Sequence, residues 1–296
     1  MAILSIQSHV AYGHVGNAAA VFALQRLGLE VWPVHSVQFS NHPGYGDWAG
    51  DILPAEHVRR VIDGIAARGV LGACDAVLSG YLGDAGLGEA VLVAVRQARA
   101  ANPAALYACD PVMGDTAGGL FVRENIPAFL RERAVPLADI ITPNAFELEQ
   151  LTGLRIASLD DAIGAARQAL ALGPSIVLVT SLRHDATPDG AIEMLAVTPE
   201  ALWRVRTPFL KLDPAPNGAG DALAALFLAH YLSGRDAARA LATAAAAIFA
   251  VVAATQAAGT RELQLIAAQD ELVRPARRFK AERLGNYLIE RELGAG

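Results

Sequence analysis

Six short apolar runs, rich in β-branched residues, recur through the first 180 residues of this chain, and a helical pattern follows each of the first five. The runs are Ile3–Gln7, Val31–Val37, Ala76–Ser79, Leu106–Asp110, Ile140–Thr142 and Ile176–Thr180. Helical stretches cover about 17–28, 55–68, 86–101, 124–133, 144–152 and 159–171. Strands separated by helices of this length demand βαβ crossovers around a mostly parallel sheet. Strands that are apolar almost throughout, not alternately, belong to a sheet covered on both faces. Beyond Thr180 the rhythm changes. Ile192–Val197 and Leu202–Arg206 read as a β-hairpin across Thr198-Pro199-Glu200, followed by helices over about 218–233 and 236–257. A charged, partly amphipathic stretch over about 263–292 predicts a last helix, with a helical tail over about 275–296. No repeat or low-complexity linker interrupts the pattern, so residues 1–296 read as a single α/β domain.

Composition narrows the function classes. Hydrophobic residues make up 53% and charged residues 18%, which excludes disorder as the main state. The net charge is −6 and no basic run stands out, which argues against a nucleic-acid or anionic-membrane partner. Ala240–Ala258 has the length of a membrane span, but its alanines, threonines and glutamine read as a buried core helix. The N-terminus enters a strand without a basic leader, so no signal peptide is expected. Cys74 and Cys109 form neither a metal-ligand pattern nor a disulfide framework, which predicts a reducing, cytoplasmic setting.

Only Lys211 and Lys280 are lysines among 24 basic residues, so a Gly-rich P-loop ending in Lys-Ser or Lys-Thr is excluded. Polar or glycine residues nevertheless punctuate five strand ends: Gln7-Ser8-His9, Ser40-Asn41-His42, Gly80-Tyr81, Asp110-Pro111 and Pro143-Asn144. Open α/β sheets bind ligands beyond the carboxyl ends of their strands, so these five points predict one shared cleft.

The strongest motif is Asn217-Gly218-Ala219-Gly220-Asp221, which opens a long apolar helix. Its small residues allow a tight turn that presents N–H groups at a positive helix end, a site for an anion or for charge developing on a phosphoryl group. Asp221, in the first turn, either accepts a hydroxyl proton there or simply caps the helix. Asn144 and Glu147 fit a capping box, and Glu147 also stands at a strand end where a carboxylate could hold hydrated Mg²⁺. Asp110 ends a strand that Pro111 stops, and is a candidate for metal or phosphate work; Asp115 reads equally as a turn residue. Gly13 and Gly16 do not make the dinucleotide fingerprint, and His9 and His14 fit no metal-binding spacing.

Taken together and in this order, these segments resemble the pyridoxal kinases of the ribokinase superfamily. The resemblance rests on Ile6–Val10 with Gly13–Asn17, Val37–His42, Leu78–Tyr81, Asp110–Asp115, Thr142–Asn144 with Phe146-Glu147, and Gly218–Asp221, and it extends to about residue 270. It implies a ribokinase-like three-layer α/β/α fold with a mainly parallel central sheet of about eight to ten strands. It further implies phosphorylation of the 5′-hydroxymethyl of pyridoxal by ATP, in a homodimer, with Mg²⁺ and often K⁺. On the matching positions, Asp221 is the implied base and Gly218, Ala219 and Gly220 the implied anion hole. Ser8 and Tyr81 would form the substrate pocket, and Pro43 and Gly44 would lie in the flap over it. Asp110 and Glu147 would stand near the ATP phosphates and the metal. Thr142, Thr180 and Thr207-Pro208-Phe209-Leu210 would contact the nucleotide.

The chain departs from the family pattern in three places. Pro43 stands where many members carry threonine, and proline can donate no hydrogen bond. Thr180-Ser181 replaces a lysine-containing pair found in some bacterial members. Asn217–Asp221 is nearer the general sugar-kinase sequence. Two alternatives follow: a hydroxymethylpyrimidine kinase of the same superfamily, and a low-turnover vitamin B6 binding protein.

Overall fold

The computed structural model describes residues 1–285. In chain order, β1 (Ala2–Val10) and β2 (Glu30–Phe39) flank α1 (Asn17–Arg26), and β3 (Gly50–Ile52) precedes α2 (Ala55–Ala66). Next come β4 (Cys74–Ser79), α3 (Ala85–Ala101), β5 (Leu106–Cys109), the small hairpin β6 (Gly114–Asp115) and β7 (Gly119–Leu120), and α4 (Asn125–Phe129). Then follow β8 (Ile140–Ile141), α5 (Ala145–Thr152), α6 (Leu159–Leu170), β9 (Ile176–Leu182), β10 (Ala191–Val197) and β11 (Leu202–Pro208). The chain continues through α7 (Ala219–Gly234), α8 (Ala237–Ala258), α9 (Gln269–Val273) and β12 (Glu282–Arg283).

Ten strands form one sheet in the order β12-β11-β10-β9-β8-β5-β4-β1-β2-β3. The six from β9 through β2 pair in parallel, and antiparallel strands close both edges. Side chains alternate across this sheet with the two-residue period of a strand. Leu4, Ile6, Val77, Tyr107, Ile141 and Val177 pack into a core with α2–α6, whereas Ile3, Ala76, Leu78, Ala108, Ile140 and Ile176 pack into a second core with α1, α7 and α8. The arrangement is the three-layer α/β/α stack that the sequence implies.

The strand order reverses at β1. The β1-α1-β2 unit runs toward one edge, and every later parallel strand is added toward the other. Crossovers of one hand therefore place α1 on the face opposite α2–α6. Such a reversal opens a crevice at the carboxyl ends of the central strands.

Differences from the sequence expectation are local. The strands β3, β6, β7 and β12 have two or three residues each, too few to carry a pattern of their own. The helix expected over 124–133 divides, α4 being followed by a π-helical turn at Leu130–Ala134. Among the described residues, the long helix expected over 263–292 is found only as α9. The charged residues that suggested it instead pair with distant elements: Arg26 with Asp270 at 2.6 Å and Arg204 with Glu282 at 2.8 Å. The tail expected over 275–296 is irregular to residue 281 and then pairs β12 with β11; residues 286–296 lie outside the described part. Among the described residues, α8 is the one helix long and apolar enough to cross a membrane. It packs on α7 and on strands β10 and β11 as a core helix.

Candidate active site

A cleft of about 550 Å³ opens at the carboxyl ends of the central strands. Its floor joins two helix N-termini. At the first, the N-cap Asn144 accepts the Glu147 N–H at 2.9 Å, and Glu147 Oε2 accepts the Asn144 N–H at 2.9 Å. The capping box is complete. Glu147 also reaches across to the β5–β6 loop, where Oε1 accepts the Met113 N–H at 2.9 Å, and Asn144 Nδ2 donates to the Gly114 carbonyl at 2.8 Å. Asp110, one residue past β5, accepts the Thr142 hydroxyl at 2.7 Å.

The second N-terminus is that of α7. Gly218 caps it with φ +87°, and a Cβ there would overlap the His14 carbonyl oxygen. Only glycine permits both the backbone conformation and the close approach. The β1–α1 loop thus lies directly against the turn that opens α7. Gly16, at φ +56°, packs as tightly on Ser8, where a Cβ would overlap its carbonyl and hydroxyl oxygens.

Three carboxylates consequently share a poorly solvated floor. Burial pushes Asp110 well above the usual carboxylate range, and the neighbouring charges of Glu147 and Asp221 add to the rise. Burial pushes Glu147 up to about 7, against hydrogen bonds from the backbone of Asn144, Met113 and Gly114. Burial also pushes Asp221 up to about 6, partly offset by the backbone N–H groups of Gly16 and of Asp221 itself. A carboxylate held near neutrality is suited to proton transfer.

The other walls are apolar or exposed. Val37, Phe39 and Tyr81 face Ser8 from one side, and His42, Pro43 and Gly44 lean over from the exposed β2–β3 connection. Pro43–Tyr45 form a single 3₁₀ turn there, capped by His42, whose Nδ1 accepts the Gly44 N–H at 3.1 Å.

A floor that gathers a glycine-rich helix N-terminus and acidic groups, beneath a small half-apolar pocket, suits phosphoryl transfer to a compact alcohol. Comparison with known proteins agrees. The family described as phosphomethylpyrimidine kinase matches residues 50–265. The pyridoxal kinase PdxY of Rubrobacter xylanophilus is 59% identical over 283 residues, 95% of this chain and 97% of its own length. That of Deinococcus radiodurans is 54% identical over 286 residues, covering 95% and 96%.

The chain belongs to the pyridoxal kinase family.

Solved structures of the family agree in fold. A pyridoxal kinase from Leishmania donovani in complex with ADP and pyridoxine has a TM-score of 0.89 at 29% identity, over 96% of this chain and 99% of that one. One from Trypanosoma brucei has a TM-score of 0.85 at 27% identity, with the same coverage.

Against this family frame, the cleft brings together Ser8, Pro43, Gly44, Tyr81, Asp110, Thr142, Glu147, Thr180 and the turn Gly218–Asp221. The segment Thr207–Leu210 is not among the cleft's lining residues: Thr207 is buried at the end of β11, and Phe209 is exposed with the Arg183 guanidinium 4.6 Å above its ring. Asp115 is a turn residue, its Oδ1 accepting the Ala117 N–H at 2.8 Å, while also touching the cleft. His9 is structural, stacked on His35 with ring centroids 4.3 Å apart. Val112, within the Asp110–Asp115 motif, carried no assigned role and joins the wall, and nothing in the sequence marks Phe121 or the Gly16 N–H on Asp221.

Among the described residues, no three His, Cys, Asp or Glu side chains converge to cage a metal ion. The donor set fits Mg²⁺ nonetheless. That ion keeps several waters and is held by one or two carboxylates together with substrate phosphates, and Asp110 and Glu147 are the residues that would supply the carboxylates.

Proposed function

We propose that this chain transfers the γ-phosphoryl group of ATP to the 5′-hydroxymethyl oxygen of pyridoxal, giving pyridoxal 5′-phosphate and ADP. What supports this most is the meeting of Asp221, the Gly218–Gly220 turn and the Ser8–Tyr81 pocket in one cleft of a chain 59% identical to a pyridoxal kinase.

In this scheme Ser8 hydrogen-bonds the pyridine ring while Tyr81 forms part of the pocket wall. The 5′-hydroxyl is then directed at the floor. Asp221 takes its proton as the oxygen attacks the γ-phosphorus, and the bond to the β-phosphate oxygen breaks as ADP leaves. The N–H groups of the Gly218-Ala219-Gly220 turn and the positive end of α7 stabilise charge on the phosphoryl oxygens. Asp110 and Glu147 would hold hydrated Mg²⁺, which would supply charge neutralisation at the phosphates; K⁺ is a further requirement we expect. Thr142, Thr180 and the segment Thr207-Pro208-Phe209-Leu210 contact the nucleotide. Pro43 and Gly44, as the flap, exclude water, favouring transfer over hydrolysis. We further propose a single-domain, cytoplasmic homodimer.

The scheme is tested by product formation from Mg-ATP and pyridoxal, with Asp221→Ala as the control that slows it at least about 100-fold. A second reading, phosphorylation of hydroxymethylpyrimidine, is favoured by the family description matched by residues 50–265. Parallel turnover of the two alcohols separates them.

A further inference from the structure

The flap holds itself only at its base, where Asn41 Nδ2 donates to the Asp47 carbonyl at 2.9 Å, the Ser40 hydroxyl accepts the Ala49 N–H at 2.9 Å and the Trp48 ring centroid lies 4.1 Å from that of Phe39. Its residues Pro43–Gly50 are exposed, and the turn at its tip is capped by His42. What further fixes that tip comes from more than 200 residues away in sequence. Arg261 Nη2 donates to the Gly44 carbonyl oxygen, and the Arg261 guanidinium lies 3.8 Å from the centroid of the Tyr45 ring. The Tyr45 hydroxyl donates to Glu262 Oε1 at 2.6 Å. The other oxygen of the same carboxylate, Oε2, accepts the His14 N–H at 3.1 Å.

Glu262 therefore bridges two loops, the flap and the β1–α1 loop, which also meet through Tyr12: its N–H donates to the Ser40 carbonyl at 2.8 Å and its ring meets that of Tyr45 edge-on, with centroids 6.1 Å apart. The second loop is the one whose His14 carbonyl packs against Gly218 and whose Gly16 packs against Ser8. Gly13, at φ +99°, leaves the space that the Glu262 carboxylate occupies. Displacing Glu262 would release the flap and loosen the support behind the anion-binding turn together.

The post that carries this pair is rigid. α8 ends at Gly259, and Leu263 and Leu265, just beyond the pair, are fully buried. The Gln264 N–H donates to the buried Thr255 hydroxyl at 3.0 Å. Two polar side chains are thus projected from a core anchor onto an exposed loop.

Resting on the kinase reading above, we infer that Arg261 and Glu262 are positioning residues, a latch that sets the closed flap in register with the turn at Gly218. They touch no reacting atom. Their effect is expected on alcohol binding and on the partition between transfer and hydrolysis, not on nucleotide binding.

The test compares Glu262→Ala, Glu262→Gln, Arg261→Ala and Tyr45→Phe with the parent chain. Glu262→Ala should raise the pyridoxal KM about tenfold, leave the ATP KM within about twofold, and lower the pyridoxal phosphate formed per ADP released. Glu262→Gln should restore most of both, since its amide oxygen can accept the His14 N–H while its amide N–H donates to the Tyr45 oxygen. Tyr45→Phe should give a smaller version of the Glu262→Ala effect, and the double variant should be no worse than Glu262→Ala alone. Hydrogen exchange over residues 42–50 should quicken in Glu262→Ala and Tyr45→Phe, while α7 and the central strands stay protected. That readout needs no turnover, so it judges the latch even if the parent chain phosphorylates a different alcohol. Unchanged flap exchange and an unchanged partition in Tyr45→Phe and Glu262→Ala would overturn the inference. An equal loss of ATP and pyridoxal affinity would overturn it as well, by making the pair a general prop of the fold.

Discussion

The two sides of the cleft are built on opposite principles. The floor is made of strand ends and helix N-termini, and its contacts are buried and interlocked: Asn144 with Glu147 three residues on, Glu147 with Met113, Asp110 with Thr142, and Gly218 against the His14 carbonyl. Buried carboxylates there acquire their chemistry from desolvation. The flap is exposed, its own contacts lie mostly at its base, and its tip is tied to residues 217 positions away. Chemistry needs fixed geometry and low solvation, which a core supplies; access needs a segment of low local stability, which a surface loop supplies.

Changes at the floor should break turnover, and changes at the flap should only detune it. Asp221→Ala carries the largest expected effect, a fall in kcat of about 10²–10⁴-fold with ADP binding retained, as for loss of a general base. Turnover within a few-fold of the parent would reassign Asp221 to helix capping. Gly218→Ala should follow, because its new methyl has to displace the His14 carbonyl; a loss of about 10²-fold in kcat is expected, as for a damaged anion hole. Asp110→Asn should shift the Mg²⁺ concentration for half-maximal rate upward by about tenfold, a size in keeping with weakened metal support. A superimposable Mg²⁺ titration would remove Asp110 from the metal site.

The floor also predicts a pH signature. Asp221 and Glu147 are raised to about 6 and about 7, above their values in an unfolded chain. A carboxylate raised on folding favours the folded state when protonated, so its contribution is present at low pH and is lost as pH rises through the folded value. Between pH 5 and 8 the ligand-free protein should therefore lose thermal stability, while kcat gains as Asp221 ionises. Asp221→Asn should flatten the stability profile and raise Tm at pH 8 by about 2–4 °C, in proportion to one group in a domain of this size. A Tm that rises with pH would contradict the burial of these charges. The flap variants should leave that profile untouched.

How much of this was legible in the sequence follows the same division. The parallel strands, the three-layer stacking and the helix starting at Gly218 were readable because each is encoded by a local period or by a glycine at a forced turn. The capping box at Asn144 and Glu147 was readable from spacing alone, and both of its hydrogen bonds are present. Short edge strands such as β3 were not, since three residues exist as a strand only by virtue of β2 beside them. The charged run after residue 263 misled because helical spacing of charges is also produced by residues reaching separate distant partners. Arg261 and Glu262 stand just before that run with nothing to mark them. Their partners, Tyr45 and His14, become visible only when the chain is folded. Pro43 shows the converse. The sequence marked it as a lost hydrogen-bond donor, and in the fold it starts the 3₁₀ turn, where a fixed φ and a missing N–H cost nothing.

The central claim is that one cleft joins a general base, an anion-binding helix end and a pyridoxal pocket. It is tested most directly by incubating the chain with Mg-ATP and pyridoxal, alongside hydroxymethylpyrimidine, and measuring phosphorylated product against ADP released. The account predicts pyridoxal 5′-phosphate and ADP in near-equal amounts, both formed at least about 100-fold more slowly in Asp221→Ala. ADP release without phosphorylated pyridoxal, or product formed in Asp221→Ala at a rate within a few-fold of the parent, would contradict it.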